Sequence, residues 1–250
     1  MLHVGISVLR SLTALVTAAA ACAGAGGSAA AVAPAAAAPY TAPAFASQVP
    51  ATTTQVVRTL RSNRWCAKRW CTRTQAWEKV EGRWRVARLP SGERADFRSS
   101  IGPTGFHPGR SRREGDGSTP SGVYSVAVTF STGQSPPGAM PWRERLPTSV
   151  VSPRRGPFYN TWIEERGRTD GNRPAMRWGF WVAYNNPRLE PGKGPSPVRG
   201  RGSGIFYHTS RPGHRWSPTE GCTNLGNPAD MRWVVTWLRP AADPRVVQHP

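Results

Sequence analysis

The sequence predicts a mainly β domain with few helices, and three observations carry that expectation. With 26 glycines and 25 prolines in 250 residues, the chain is interrupted too often for long helices. Within the uninterrupted runs apolar and polar residues alternate, the period of a strand with one buried face. One stretch alone, near the C-terminus, repeats its apolar residues at helical spacing.

Taken in chain order, the alternating runs place strands at 55–60, 84–89, 122–130, 177–184 and 204–208. In the third, Tyr124, Val126, Val128 and Phe130 are expected on one face; in the fourth, Trp178, Phe180, Val182 and Tyr184. The helix follows from local chemistry. Asn227 is a good N-cap, Pro228 suits the first helical position and Asp230 complements the dipole. Met231, Val234, Val235 and Leu238 form the apolar stripe, Pro240 ends the helix, and a last strand is expected at 245–248. Most of the 11 tryptophans read as core and sheet-face residues. Trp216 stands in a loop and is a candidate for stacking on a ligand.

The N-terminus has a different composition. Arg10 is the single charged residue of the first 50 and precedes an apolar run at 11–23, the layout of a secretory signal peptide. Residues 1–25 are read as that peptide, with Ala23-Gly24-Ala25 as its cleavage pattern and Ala44-Phe45-Ala46 as a later one, so that cleavage extends as far as 46. Ala19-Ala20-Ala21-Cys22 is a poor lipoprotein box, which makes a lipid anchor through Cys22 the minority alternative to a secreted or wall-located protein. The run is short and alanine-rich for a bilayer span, so no integral membrane span is expected after signal removal. Residues 26–53, rich in Ala, Pro and Thr, read as a semi-extended linker, and 54–250 as one domain.

The formal charge is +19, and removing the first 50 residues with Arg10 leaves +18 on the remaining 200. Such a field favours acidic polymers. Export points to anionic wall polymers and away from nucleic acid, while the scatter of the arginines is equally consistent with composition bias.

The cysteines set out the chemistry. Cys66 and Cys71 are close enough for a local disulfide in an oxidising compartment, which leaves Cys222 as a free thiol. The alternative, a long-range bridge from Cys222 to Cys66 or Cys71, would remove the nucleophile. Cys222 follows Gly221 and comes 14 residues after His208. A thiol with an imidazole as proton acceptor is the minimum for cysteine acyl transfer, and a glycine lets main-chain N–H groups approach a developing oxyanion. A zinc site from His208, His214 and Cys222 lacks a second cysteine or an acidic neighbour. No metal and no cofactor is expected. Glu114 and Asp116 read as turn residues, since Gly-Asp-Gly before Thr-Pro is loop chemistry.

Several landmarks together resemble one family, the bacterial L,D-transpeptidases with a YkuD-type catalytic domain. Gly115-Asp116-Gly117-Ser118-Thr119-Pro120-Ser121-Gly122 resembles its Gly-Asp then Thr-Pro-x-Gly lead into a strand. Phe206-Tyr207-His208 with Thr219-Glu220-Gly221-Cys222 resembles its active site. Phe158-Tyr159-Asn160-Thr161-Trp162 and Ala183-Tyr184-Asn185 are similar to motifs of an exported, actinobacterial-type branch, and the resemblance covers roughly 75–250. It implies a YkuD-like β-sandwich or mixed sheet, peptidoglycan stem peptides as substrate, and Cys222 as nucleophile with His208 as its base. It further implies that the Thr209 carbonyl orients the imidazole and that Gly221 shapes the oxyanion site. Thr219, Trp216 and Asn224 are the expected substrate contacts, while Tyr159 and Asn185 are expected to stabilise the fold. Where the family often carries histidine and arginine around the Gly-Cys pair, this chain has Glu220 and Asn224, and an asparagine cannot supply an arginine's charge to a stem-peptide carboxylate. Transfer to water, giving a carboxypeptidase, a cysteine peptidase acting on wall peptides, and a non-catalytic wall-binding module are the competing readings.

Overall fold

A computed structural model describes residues 40–154, 156–169, 174–189 and 196–250. The expected signal peptide, the first part of the expected linker and Cys22 lie outside the described residues.

The domain is built on strands β1 (Gln55–Arg61), β2 (Cys71–Val80), β3 (Arg83–Val86), β4 (Asp96–Ser100), β5 (Gly105–Pro108), β6 (Ser118–Ser131), β7 (Trp142–Glu144), β8 (Ser149–Val151), β9 (Trp162–Glu164), β10 (Trp178–Val182), β11 (Phe206–His208), β12 (Thr223–Asn224) and β13 (Arg245–His249), with one helix, α1 (Pro228–Trp237). The main sheet runs β1-β13-β6-β10-β11-β12-β4-β2-β3, and β1 also pairs with β2. It is therefore a mixed sheet that closes on itself instead of stacking as two separate layers. The β8-β9 pair is a separate two-stranded sheet.

The helix is the one local signals foresee. Asn227 accepts from the Ala229 N–H at its N-cap, and Met231, Val234 and Val235 are its buried residues. They join Val57, Ala76, Phe97, Phe180, Tyr207 and Val246 in the main core.

Two expectations need correction. The first concerns β6, whose four apolar residues do not share a face. Phe180 opposes Thr129 and Val182 opposes Val126, so β6 carries one extra residue between those pairs. That bulge reverses the side-chain parity of the strand. Tyr124 and Val126 consequently pack in the main core, whereas Val128 and Phe130 pack in a second cluster with Trp162, Trp181 and Phe206. Trp178, Phe180, Val182 and Tyr184 do share the main core.

The second correction concerns the linker. Residues from Tyr40 onward belong to the same compact unit as the rest of the domain. A short 3-10 turn, Ala44–Ser47, buries Phe45 to 1% exposure. Its ring meets Trp77 and Trp84 edge-on at 5.3 and 5.2 Å, and the Tyr40 hydroxyl accepts the Trp84 N–H at 2.7 Å. Composition favours a tether here, but one aromatic ring with two tryptophans to meet is enough to fasten the segment. Cleavage as late as 46 would remove that ring.

Alternation of large apolar residues misses β2 because its buried residues include Thr72, Thr74 and Ala76. The hydroxyls of Thr59 and Thr74 pair at 2.8 Å, as do those of Thr74 and Ser99. An interior satisfied by hydroxyl pairs leaves little hydrophobic signature in the sequence.

Candidate active site

The site is assembled where β11 and β12 lie parallel, with Tyr207 opposite Thr223 and His208 opposite Asn224. Cys222, one residue before β12, therefore falls beside Phe206, on the same face of the sheet as His208 and diagonal to it. Phe206 and Cys222 both pack in the second aromatic cluster.

The turn ahead of Cys222 is held by threonines. Thr219 Oγ1 donates to the Cys222 carbonyl at 2.6 Å and accepts the Gly221 N–H at 3.2 Å, while Thr119 Oγ1 donates to the Gly221 carbonyl at 2.9 Å. Gly221 sits at φ +124°, and a Cβ there would lie 2.6 Å from both Arg112 Nη2 and the Ser118 carbonyl. Only glycine fits. Thr219 engages the Gly221 N–H, whereas the Cys222 N–H, on the same residue as the thiol, makes no hydrogen bond among the described residues.

Cys222 is a free, half-buried thiol. Its Sγ donates to the Gly204 carbonyl and accepts from the Phe206 N–H, each at 3.4 Å. Burial pushes the thiol up to about 11; the Phe206 N–H, Arg112 and Arg145 oppose that rise and Glu220 adds to it. His208 is shifted the other way: burial lowers it, the carbonyls of Thr209 and Ala175 oppose, and Arg145 adds to the lowering. His208 Nδ1 lies 2.6 Å from the Thr209 carbonyl. A carbonyl can only accept, so Nδ1 carries the proton and Nε2 is left with the free lone pair. Thr209 is itself fixed, its N–H and hydroxyl donating to the Ala175 carbonyl. At neutral pH the resting pair is accordingly a neutral thiol and a neutral imidazole, with the thiol donating to the Gly204 carbonyl ahead of β11 rather than to the ring.

The structure thus brings together Cys222, His208, Thr209 and Gly221. It does not present the expected substrate contacts in the same way. Thr219 is spent on the turn. Asn224 is buried at 3% exposure, and its Oδ1 accepts from Ser210 Oγ and the Gly226 N–H, both at 2.8 Å, which leaves it a structural brace. Trp216 adopts φ +58°, an outlier for a bulky side chain. It is wedged against Trp65, ring centroids 5.8 Å apart, with Gly226 admitting its indole edge and Arg98 5.6 Å above its ring. Cys66 and Cys71 are joined, their Cα atoms 5.9 Å apart. Groups of three or more side chains able to hold a metal ion are absent among the described residues.

The family profile described as the L,D-transpeptidase catalytic domain, YkuD, matches residues 82–247. The chain belongs to that family. No curated protein matches it. Peptidoglycan is the substrate class of such a domain, and the matched span contains β4 to β12, with every residue of the thiol site. Among the described residues no helix is long and apolar enough to cross a membrane.

Two arginines of this L,D-transpeptidase domain escaped the sequence reading. Arg145, 8% exposed, lies with its guanidinium 5.8 Å from the Phe130 ring and 5.3 Å from that of Trp162, and its charge acts on both His208 and Cys222. Arg112, 2% exposed, reaches the Glu220 carbonyl just before Gly221. Within the run Arg110-Ser111-Arg112-Arg113 nothing distinguishes one arginine from its neighbours until the tertiary contacts are known. Glu114 and Asp116 act as braces. Glu114 accepts from the Tyr159 hydroxyl and Ser203 Oγ, both at 2.7 Å, and Asp116 accepts from the N–H groups of Arg113 and Ser118. Asn185 donates to the Val198 and Gly202 carbonyls.

Proposed function

We propose that the protein is an exported L,D-transpeptidase of the actinobacterial-type branch that uses Cys222 to form an acyl-enzyme from a tetrapeptide stem. The observation that supports this most strongly is the shared face of Cys222 and His208, with Nδ1 of the imidazole occupied by a carbonyl and Nε2 left to accept a proton. Cys222 Sγ turns from the Gly204 carbonyl toward Nε2 and attacks the diaminopimelate carbonyl as its proton passes to the ring. The S–C bond forms, the C–N bond to D-alanine breaks, and Nε2 returns the proton to the departing amine. In the second half-reaction an acceptor amine attacks the thioester, gives its proton to Nε2, and the thiol is regenerated. The Cys222 N–H faces the tetrahedral oxyanion in each half, a contribution of about 3 kcal/mol for one such donor.

Because the resting thiol is neutral, proton transfer accompanies attack instead of preceding it. Export is proposed with cleavage near Ala25, since a later cut would expose the socket of Phe45. The secreted chain would meet its stem peptides in the wall, where its basic surface also favours anionic polymers. Mass spectrometry of purified residues 40–250, wild type beside Cys222→Ala, with a tetrapeptide muropeptide and a D-amino acid tests the reading. D-alanine exchange or cross-linked dimer in the wild type alone is expected. Loss of D-alanine without transfer would make the enzyme a carboxypeptidase, and equal turnover by both proteins would overturn the thiol mechanism.

A further inference from the structure

Arg112 is a buried cation held almost entirely by main-chain oxygens. Its Nε donates to the Ser118 carbonyl at 2.8 Å, Nη1 to the Arg201 carbonyl at 3.1 Å and Nη2 to the Glu220 carbonyl at 3.2 Å. The Tyr184 ring lies 5.7 Å from the guanidinium carbon, and the nearest carboxylate oxygen, of Asp116, is 3.9 Å away. Three segments distant in sequence, the start of β6, the loop before β11 and the turn before Cys222, are tied through one planar group. Glycine is required where two of them touch it, since a Cβ on either Gly202 or Gly221 would collide with the guanidinium.

Burying a charged guanidinium is costly unless its donors are matched, and an unbranched apolar side chain such as methionine would serve a purely packing role. The three acceptors converge on the site. Ser118 and Glu220 carbonyls flank Gly221, and the loop of Arg201 continues to Gly204, whose carbonyl receives the Cys222 thiol. Fixing the Glu220 carbonyl fixes the plane of the Glu220–Gly221 peptide, and with the Gly221 carbonyl held by Thr119 it leaves the Cys222 N–H one direction to face. A lysine's three donors all leave one nitrogen, whereas the planar fork spreads its donors over Nε, Nη1 and Nη2 and so reaches carbonyls on three separate segments together.

We propose that Arg112 is a positioning residue for acyl transfer: its guanidinium holds the Glu220–Gly221 turn so that the Cys222 N–H is aimed at the oxyanion, and its fixed charge stands behind the thiol. This rests on the reading of Cys222 as nucleophile. It deepens that reading by assigning the geometry of the turn to a side chain 110 positions earlier in the chain.

Arg112→Lys and Arg112→Met separate the two parts. Kinetics with a tetrapeptide donor and D-amino acid acceptor are measured beside the pH dependence of Cys222 alkylation by iodoacetamide, with circular dichroism as the check on folding. Arg112→Lys keeps the charge and loses the fork, so kcat is expected to fall on the order of 10²-fold with KM nearly unchanged and the alkylation profile close to wild type. Arg112→Met loses both, so the alkylation curve moves to higher pH as well. Added guanidinium ion is expected to restore part of the kcat of Arg112→Met. Folded variants with wild-type kcat, or a loss confined to melting temperature, would overturn the proposal. The alkylation curve needs no turnover, so a shift in Arg112→Met alongside an inactive wild type would leave the placement of Arg112 standing while removing the transpeptidase reading. Should Arg112→Met not fold, Arg112→Lys decides alone through its split between kcat and KM.

Discussion

The two faces of β11 are built on opposite principles. On the inner face Tyr207 is fully buried, stacked on Phe180 with centroids 4.6 Å apart. Its hydroxyl shares hydrogen bonds with the side chains of Thr59 at 2.7 Å and Gln248 at 3.3 Å, and Gln248 reaches Thr223 in turn. On the outer face, one residue to either side, Phe206 and His208 stand beside Cys222, and the hydrogen bonds of the proposed catalytic pair go to main-chain groups: Gly204 and Phe206 for the thiol, Thr209 for the imidazole. Side-chain networks fix one arrangement because every partner loses its own partner when one moves. The thiol has only two long main-chain contacts, each 3.4 Å, which hold it in place yet leave it room to turn. One strand thereby carries rigidity on one side and the proposed chemistry on the other.

The comparison is broken most severely by Cys222→Ala. Activity on muropeptide is expected to disappear with the melting temperature nearly unchanged, because the thiol makes only two weak bonds; mass spectrometry and thermal melting together check this. Phe45→Ala should do the reverse, costing about 3–5 kcal/mol of stability with kcat retained, as read by urea unfolding and by assay well below the transition. Gly221→Ala must either displace Arg112 or distort the turn, and a loss on the order of 10²-fold in kcat is expected. Tyr207→Phe removes the shared hydroxyl from the inner face and should cost about 1–3 kcal/mol, again without loss of kcat.

The smallest effects are those of pH. His208 has its folded pKa below the ordinary 6.5, so in the window under 6.5 the unfolded chain binds more protons. Its contribution to stability is present above 6.5 and declines as pH falls. Cys222 is raised from 9.0 to about 11, so the folded state binds more protons between those values and the contribution of the buried thiol is lost as pH rises through them. Asp230, raised from 3.8 to about 6 by burial against the pull of Arg215 and Asn227, acts with the opposite sign to His208, stabilising at low pH and less as pH passes 6. Urea melts of wild type, His208→Gln and Asp230→Asn across pH 4–8 would separate the two. Activity is expected to rise with pH through the folded pKa of His208, and iodoacetamide should alkylate Cys222 slowly at pH 7, accelerating toward pH 11. Rapid alkylation at neutral pH would mean a thiolate in the resting site and would remove the distinction drawn between the two faces.

Much of this was legible in residues that act on near neighbours. The helix was marked by Asn227, Pro228 and its stripe, since caps and periodicity are properties of a few consecutive residues. The turn chemistry of Asp116 and the pairing of Gly221 with Cys222 were local for the same reason, and the resemblance of the His208 and Cys222 motifs pointed to the family whose profile covers most of the domain. For Asn224 and Thr219 the polarity is visible in sequence while the internal partners that engage it are not.

What the sequence by itself determined was the mainly β class, the C-terminal helix and the candidate thiol with its imidazole. Only the tertiary structure decided that Phe45 belongs to the core, that a bulge in β6 divides Val126 from Phe130, and that Arg112 rather than its neighbours reaches the Glu220 carbonyl. The physical reason is the range of the interactions. Caps, turns and alternation are settled within a few residues, whereas burial, parity after a bulge and the partners of a long arginine depend on segments that meet only when the sheet closes.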